Sequence, residues 1–142
     1  TYVGKDGEKH TPIMIHRVIF GSIERFIGIL IEHFAGKFPL WLAPVQVKLL
    51  TVTEKFADYA EEVGRKLTEA GLRVEVDVRN EKIGYKIREA RNERVSYLGV
   101  IGEKEMESGE LSVRSSKEGE LGAMKLEEFI AKLQKEIADK VC

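Results

Sequence analysis

From Val45 onward, strand-like and helix-like segments alternate along the chain, and this alternation restricts the fold more than any other feature of the sequence. Strands are predicted over Val45–Val52, Leu72–Val78 and Tyr97–Ile101, because these segments are rich in β-branched and apolar residues. Helices are predicted between them, the first capped by Thr53 and the second over Lys82–Asn92. A βαβαβ order of this kind predicts a mostly parallel sheet with helices packed on it.

The remaining residues extend this arrangement. Gly109–Ser115 alternates apolar and polar residues, which predicts another strand, and a final helix is predicted from about Lys125. We therefore expect an α/β fold with a mixed, mostly parallel central sheet flanked by helices and an added strand pair. Along Leu72–Val78 the alternation is strict, so the polar side chains of this strand, including Glu75 and Asp77, are expected to face water.

The first 44 residues follow a different pattern. Pro12–Phe20 is predicted to be a strand from its apolar and β-branched content. Ser22 is a favourable N-cap for a helix that Gly36 ends. The apolar residues of this helix recur at helical spacing and predict a continuous buried stripe, made of Ile23, Phe26, Ile27, Leu30, Ile31 and Phe34. Two prolines within Lys37–Pro44 indicate a packed connector, and we place a domain boundary between residues 1–39 and 40–142.

Composition excludes some classes of function. The chain has 142 residues and a formal net charge of -1, so it has no global basic field that would indicate a nucleic-acid partner. Its one cysteine, Cys142, excludes a disulfide framework and favours a reducing compartment, for which we predict the cytoplasm. The longest apolar run, Phe26–Phe34, is too short to cross a bilayer, and no membrane partner is expected.

Gly21, Ser22 and Arg25 lie where the predicted strand runs into the helix. Ser22 and Arg25 are three residues apart and project from the same side of the helix, while Gly21 leaves space for a flat ligand near the backbone. A guanidinium at a helix start suits phosphate binding. The same spacing also fits a solvated helix arginine beside an ordinary turn, because one glycine and one arginine are a weak motif.

The run Met14–Arg17, together with Gly21–Phe26, resembles the third signature motif of class II aminoacyl-tRNA synthetases in the version that the threonyl family carries. The resemblance implies a strand–helix remnant of an antiparallel catalytic domain, and we expect the chain to hold only the end of that domain. In the family, the arginine matching Arg25 binds the phosphates of ATP, which carries magnesium, and stabilises charge on the leaving pyrophosphate. Gly21 and Ser22 would belong to the same ATP and substrate site.

His16 has two interpretations. A histidine on an apolar strand face is usually a core residue. The resemblance instead implies a zinc ligand, because the threonyl family uses a histidine at this position, with two ligands further upstream, to hold a catalytic zinc that binds threonine through its amine and hydroxyl. The two upstream ligands are not in this chain. We therefore expect the chain alone to bind zinc weakly or not at all.

Positive charge collects in the segment Arg79–Arg94, which has six basic and three acidic residues. Such clustering is the electrostatic footprint expected for a phosphate backbone. A solvated helix with interspersed charges is the alternative, and the pattern alone leaves it open.

This segment, and Asp77–Gly84 in particular, resembles the anticodon-binding domain shared by threonyl, histidyl, prolyl and glycyl synthetases, and it fits the threonyl branch best. The resemblance implies that splayed anticodon bases are read at their edges. By match to the family, Asn80 and Arg94 would lie against the third-position U. Glu105, expected in an acidic loop, and Arg114 would read the central G. Lys82 and Arg88 would contact phosphates.

Together, these resemblances imply an aminoacyl-tRNA ligase that activates threonine with ATP and charges tRNA(Thr). We expect the parent enzyme to be a homodimer, and the present chain to bind tRNA without forming adenylate. The alternative is a non-catalytic tRNA-binding paralogue of the anticodon-binding domain. Intact His16 and Arg25 speak against that alternative, since a non-catalytic relative has no reason to keep them.

Overall fold

The computed structural model describes residues 1–142, and the first 36 residues form few regular elements. Strands β1 (Tyr2–Val3) and β2 (Lys9–His10) form a short antiparallel hairpin. Residues 11–20 form neither helix nor strand, so the strand predicted over Pro12–Phe20, and with it the strand of the catalytic remnant, is wrong. A strand needs a neighbour for its backbone hydrogen bonds, and no other strand of the chain pairs with this segment.

Ser22 is the N-cap of helix α1 (Ile23–His33), as predicted, and its hydroxyl accepts a hydrogen bond from the backbone N–H of Arg25 at 3.4 Å. The prediction of a buried stripe is wrong, because no residue of α1 is buried. Phe26 is half-buried and stacks on Phe20 with ring centroids 4.3 Å apart. An amphipathic helix buries its apolar face only where a partner surface covers it, and this chain supplies none.

The predicted packed connector is confirmed. Leu40 and Ala43 are buried. The Gln46 side chain donates to the Leu40 carbonyl and accepts from the backbone N–H of Arg73, both at 2.9 Å. The Arg73 guanidinium in turn donates to the carbonyls of Ala43 and Trp41. These bonds satisfy the backbone groups of the connector and fix it to the sheet. The boundary between residues 1–39 and 40–142 stays a prediction.

A five-stranded sheet forms the centre of the remaining chain, in the strand order β4-β3-β5-β6-β7. Strand β3 runs parallel to β4 and β5, while β6 runs antiparallel to both β5 and β7, so only β6 points the opposite way. This confirms the mixed, mostly parallel α/β sheet. The five strands are β3 (Val47–Thr51), β4 (Val74–Asp77), β5 (Tyr97–Ile101), β6 (Glu110–Ser115) and β7 (Gly119–Lys125).

Four helices accompany the sheet. A 3₁₀ turn over Glu54–Phe56 leads into α2 (Ala57–Glu69), and the later helices are α3 (Ile83–Asn92), α4 (Glu103–Ser108) and α5 (Leu126–Ala138). No helix has the length and apolar content needed to span a bilayer. Thr53 lies at the predicted cap position, but its side chain makes no capping hydrogen bond.

The helices cover the two faces of the sheet unequally. On one face, α2 and α5 pack against alternate strand residues in a core of 13 buried residues that includes Leu49, Tyr97 and Phe129. On the other face, α3 covers a smaller core of four buried residues, Leu50, Ala90, Val95 and Leu98. These residues come from β3, β5, α3 and the turn after α3. No residue of β6 or β7 belongs to this smaller core, so α3 leaves the second face of these two strands uncovered, and we call it the open face.

Candidate nucleic-acid interface

Arg114 lies on the open face of the sheet. Its Cα is paired with that of Leu98, so both side chains point to the side that α3 covers. The register of β6 and β7 shifts between Val113 and Arg114, and such bulges re-aim side chains. The Arg114 side chain is 30% exposed, and its guanidinium lies 3.2 Å from a carboxylate oxygen of Glu120. Its Nε is enclosed and has no hydrogen-bond partner.

A buried lysine fixes α3 to the strand ends. The Lys86 ammonium, which is fully enclosed, donates to the carbonyl oxygens of Thr51 and Asp77, each at 3.1 Å, and lies 3.7 Å from the Asp77 carboxylate. Because a buried charge is tolerated only when it is paired and hydrogen-bonded, these contacts hold the start of α3 at the ends of β3 and β4. Lys86 is therefore not available to RNA.

Asp77 is buried, contrary to the solvent-facing position predicted for it. Two guanidinium nitrogens of Arg79 donate to its carboxylate at 3.0 and 2.6 Å. This pairing lowers the pKa of Asp77 to about 2 even though burial acts in the opposite direction. Arg79 also contacts Glu89 on α3, and hydrogen bonds to both carboxylates raise the pKa of Arg79. The alternation of the strand sequence predicted solvent exposure for Asp77, and this prediction fails because α3 brings the buried Lys86 over the end of β4.

Four of the six cations in Arg79–Arg94 remain free. Arg79 and Lys86 are occupied as described, whereas Lys82, Arg88, Arg91 and Arg94 are exposed and form no ion pair. Glu93 is neutralised by Lys48, whose ammonium lies 2.5 Å from the Glu93 carboxylate. Burial lowers the pKa of Lys48, but its contacts with Glu93 and Glu75 outweigh this effect and raise it. The basic segment therefore presents a positive surface along α3 and the turn after it.

The residues matched to the anticodon site fall into two groups at opposite edges of the sheet. Asn80 and Lys82 follow β4, and Glu105 follows β5. These three lie at one edge, because parallel strands end at the same side. Arg94 precedes β5 and Arg114 pairs near its start, which places both at the other edge. Arg88 lies on α3, which runs between the two edges.

Glu105 lies on a short helix and not in the acidic loop that was predicted. One of its carboxylate oxygens accepts the backbone N–H of Gly102 at 3.0 Å, which caps the start of α4. Gly109 ends this helix in the left-handed conformation, with a φ of 69°. The cap occupies one carboxylate oxygen and leaves the other without a hydrogen bond from the protein.

Arg94 and Arg114 come together in one cleft of about 900 Å³ at the amino edge of the sheet. Arg94 has a positive φ of 61°, and its side chain lies over Gly36, where an added Cβ would approach Arg94 Cδ to 3.2 Å. Gly36, itself at a φ of 73°, therefore leaves the space that this arginine occupies. The connector and the sheet meet at this point.

The residues matched to the catalytic motif lie apart from this interface, in the first 36 residues. Gly21 has a φ of 69° with open space around its Cα, and Arg25 is exposed in the first turn of α1. The Ser22 hydroxyl donates to Glu24 at 2.7 Å while it caps the helix, so it is already occupied. His16 is exposed, and the chain has no group of three or more His, Cys, Asp or Glu side chains placed to hold a metal ion.

Comparison with known proteins identifies the domain. Residues 43–136 match the family described as the anticodon binding domain. The chain belongs to this family. The threonine–tRNA ligases of Clostridium acetobutylicum and Acetivibrio thermocellus are each 61% identical to the chain over 140 residues, which is 99% of the chain and 22% of each relative. The anticodon-binding domain and its flanking residues thus span about a fifth of the length of these curated relatives.

Solved structures agree with this assignment. The RNA binding domain of threonyl-tRNA synthetase from Cryptosporidium parvum matches with a TM-score of 0.76 and 34% identity, over 82% of this chain and 30% of that chain. Prolyl-tRNA synthetase from the same organism matches with a TM-score of 0.64 and 25% identity, over 72% of this chain and 22% of that chain. Anticodon-binding domains of different synthetases therefore share the sheet and helices described above.

Sequence reasoning missed part of this surface. Lys37, Lys117 and Lys135 line the same cleft as Arg94 and Arg114, although they are far apart in sequence. No local pattern links them, so only the fold reveals the group. Tyr85 was also missed. It is 51% exposed on α3, one turn before Arg88, and an exposed ring beside a guanidinium offers a stacking surface for an unpaired base. The signal was a large aromatic residue at a position where helical periodicity predicts solvent.

Proposed function

We propose that the chain is the anticodon-binding part of a threonine–tRNA ligase and binds the anticodon loop of tRNA(Thr). The observation that carries this proposal is the open face of β6 and β7, where Arg114 lies half-enclosed with an unpartnered Nε. The high identity to threonine–tRNA ligases over 99% of the chain supports this ligase over a non-catalytic paralogue, because it extends beyond the matched domain into residues 1–42.

In this proposal, Arg114 and Glu105 read the central G of the anticodon. A guanidinium donates to the O6 and N7 acceptors of guanine, and a carboxylate accepts from its N1 and N2 donors. Arg114 pairs near the amino end of β5 and Glu105 follows its carboxyl end, so the proposal requires the guanine to lie along the uncovered sheet between them. The family match also assigns Asn80 and Arg94 to the third-position U, which would have to lie between the two edges of the sheet, and it assigns Lys82 and Arg88 to phosphates. The free carboxylate oxygen of Glu105 supports its assignment.

The substitution Arg114→Ala tests this division of roles. We expect it to weaken binding of a threonine anticodon stem-loop by about 1–3 kcal/mol and to relax discrimination against a stem-loop with the central G replaced. Lys82→Ala should instead weaken both stem-loops alike. Fluorescence titrations at several salt concentrations measure both effects.

Glu120→Gln is the matched control, since it removes the ion pair of Arg114 and leaves the guanidinium in place. If Glu120→Gln relaxed discrimination as much as Arg114→Ala, the arginine would be acting through its ion pair and not by contact with the base. If Arg114→Ala and Lys82→Ala behaved identically, the division into base and phosphate contacts would be wrong.

We also propose that the whole enzyme activates threonine with ATP and magnesium, and that Arg25 contributes to holding the ATP phosphates. The open space at Gly21 and the exposed guanidinium of Arg25 suit a phosphate, whereas the Glu24 carboxylate in the same helical turn opposes one. The fit within this chain is therefore partial, and the chain alone is expected to be inactive. Measurable ATP–pyrophosphate exchange by the 142-residue chain would contradict this expectation.

The residues of this chain do not fit a zinc ion, because His16 has no further ligands around it. In the proposed ligase, His16 would become a zinc ligand only together with the upstream residues of the family pattern. We further propose that the ligase is a cytoplasmic homodimer. Gel filtration of the whole enzyme with light scattering tests its oligomeric state.

A further inference from the structure

The cleft at the amino edge of the sheet contains more positive charge than two anticodon residues explain. It is bordered by the connector, the start of β5, the end of β6, the turn after β6, and α5. Its volume is about 900 Å³. Seven basic and three acidic side chains line it, a net charge of +4 in a chain whose formal net charge is -1. Such a concentration of one sign inside a concave surface raises the local concentration of anions.

Most of these cations have no acidic partner. Lys132 pairs with Glu118 at 2.9 Å, and Arg114 pairs with Glu120 at 3.2 Å. Besides Glu118, two acids line the cleft: Asp139 is exposed and forms no ion pair, and Glu136 accepts a hydrogen bond from the buried Tyr97 hydroxyl at 2.7 Å. Burial together with the Glu136 carboxylate raises the pKa of Tyr97. The remaining cations form no ion pair and are exposed; they are Lys37, Arg91, Arg94, Lys117 and Lys135.

We propose that this basic cleft binds the sugar–phosphate backbone of the RNA strand that flanks the anticodon bases. The inference rests on the proposed function, because Arg94 and Arg114 belong both to the cleft and to the anticodon residues. A strand whose bases lie on the open sheet face continues from these two arginines into the cleft. The enclosed and unpartnered Nε of Arg114 lies where the two surfaces join.

The distribution of the cations favours an extended polyanion over a small ligand. Lys37 comes from the connector, Arg91 from α3, Lys117 from the turn between β6 and β7, and Lys135 from α5. One phosphate group can contact only neighbouring cations, whereas a nucleic-acid backbone presents one charge per nucleotide and can meet cations on several elements. Hydroxyl groups of Ser115 and Ser116 add neutral polar surface to the same wall.

A double substitution on two different elements of the cleft, Lys37→Ala in the connector with Lys135→Ala on α5, tests the proposal in the 142-residue chain. The probes are a threonine anticodon stem-loop and the same stem-loop with the central G replaced. The matched control is Lys5→Ala with Lys55→Ala, which removes two exposed, unpaired lysines that do not line the cleft. Dissociation constants are measured for each protein over a series of salt concentrations.

We expect the cleft variant to bind both stem-loops about tenfold more weakly at low salt. The slope of the logarithm of its binding constant against the logarithm of the salt concentration should be shallower by about 0.7 for each lost phosphate contact. The ratio of affinities for the two stem-loops should stay as in the parent chain, and the control should match the parent chain. An unchanged affinity and salt dependence in the cleft variant, or a loss no larger than in the control, would overturn the proposal.

Failure of the proposed function has a different signature. Suppose that the unsubstituted chain binds both stem-loops equally, and that the cleft variant binds them more weakly and with a shallower salt dependence. Base reading would then be wrong and the backbone site would stand. If the parent chain distinguished the stem-loops and the cleft variant bound as tightly, only the backbone site would be wrong. If the parent chain bound neither stem-loop, both would be wrong.

Discussion

Helices α1 and α5 show how differently two similar sequences behave within one chain. Both are amphipathic and of comparable length, over Ile23–His33 and Leu126–Ala138. In α5, Phe129 and Leu133 are fully buried against the sheet, whereas α1 buries none of its residues. Periodicity therefore predicts which side chains share a helix face, but a partner surface decides whether that face is buried. Residues 40–142 supply that partner for α5, and nothing in the chain supplies one for α1.

The largest expected effect tests this contrast directly with two phenylalanines. Phe129→Ala should lower the free energy of unfolding by about 3–5 kcal/mol, because it opens a cavity in the main core. Phe26→Ala makes the same chemical change in α1, where the ring is half-buried and stacks only on Phe20, and should cost less than about 1 kcal/mol. Urea unfolding followed by fluorescence and circular dichroism measures both. Equal losses would mean that α1 packs as firmly as α5.

Most elements of the α/β region could be predicted from the sequence. Strand β5 has the predicted bounds, and α3 begins one residue after the predicted position. These successes have a common physical cause. Each segment lies in a self-sufficient fold, so local periodicity and burial agree. The strand predicted over Pro12–Phe20 failed because no other strand of the chain pairs with this segment.

The candidate site was less predictable, because its geometry depends on contacts between distant residues. The position of Asp77 follows from Lys86 and Arg79, which the alternation of β4 does not reveal. Likewise, Lys37 and Lys135 reach the same cleft although they are far apart in the sequence. The residues matched to the anticodon site could be named from family resemblance, but their division between two edges of the sheet needed the strand order.

A smaller effect is a difference in how the α/β region and the first 36 residues contribute to the pH dependence of stability. Asp77 has a pKa of about 2 against an ordinary value of 3.8, so its carboxylate contributes stability above about pH 4 that is lost as the pH falls through 2. The contribution is about 2 kcal/mol, since one pKa unit corresponds to about 1.4 kcal/mol. Acidic residues of the first 36 residues are exposed and should contribute little.

Carboxylate NMR titration of Asp77, together with urea unfolding between pH 5 and 2, measures this effect. In Asp77→Asn, the loss of stability over this pH range should be smaller by the contribution of Asp77. A titration midpoint of Asp77 near its ordinary value would show that the contacts with Arg79 do not persist in solution.

The smallest expected effect concerns the N-caps of two helices. Ser22→Ala removes the hydroxyl that accepts the Arg25 N–H, and it should destabilise α1 locally by about 1 kcal/mol. Because α1 is not packed on the core, we expect faster amide hydrogen exchange within residues 23–33 and an unchanged unfolding midpoint for the α/β region. Thr53→Ala is the matched control, since Thr53 makes no capping hydrogen bond and its loss should leave exchange in α2 unchanged. If Ser22→Ala shifted the global unfolding midpoint, α1 would have to be energetically coupled to the sheet. The contrast between the two regions would then be one of exposure alone.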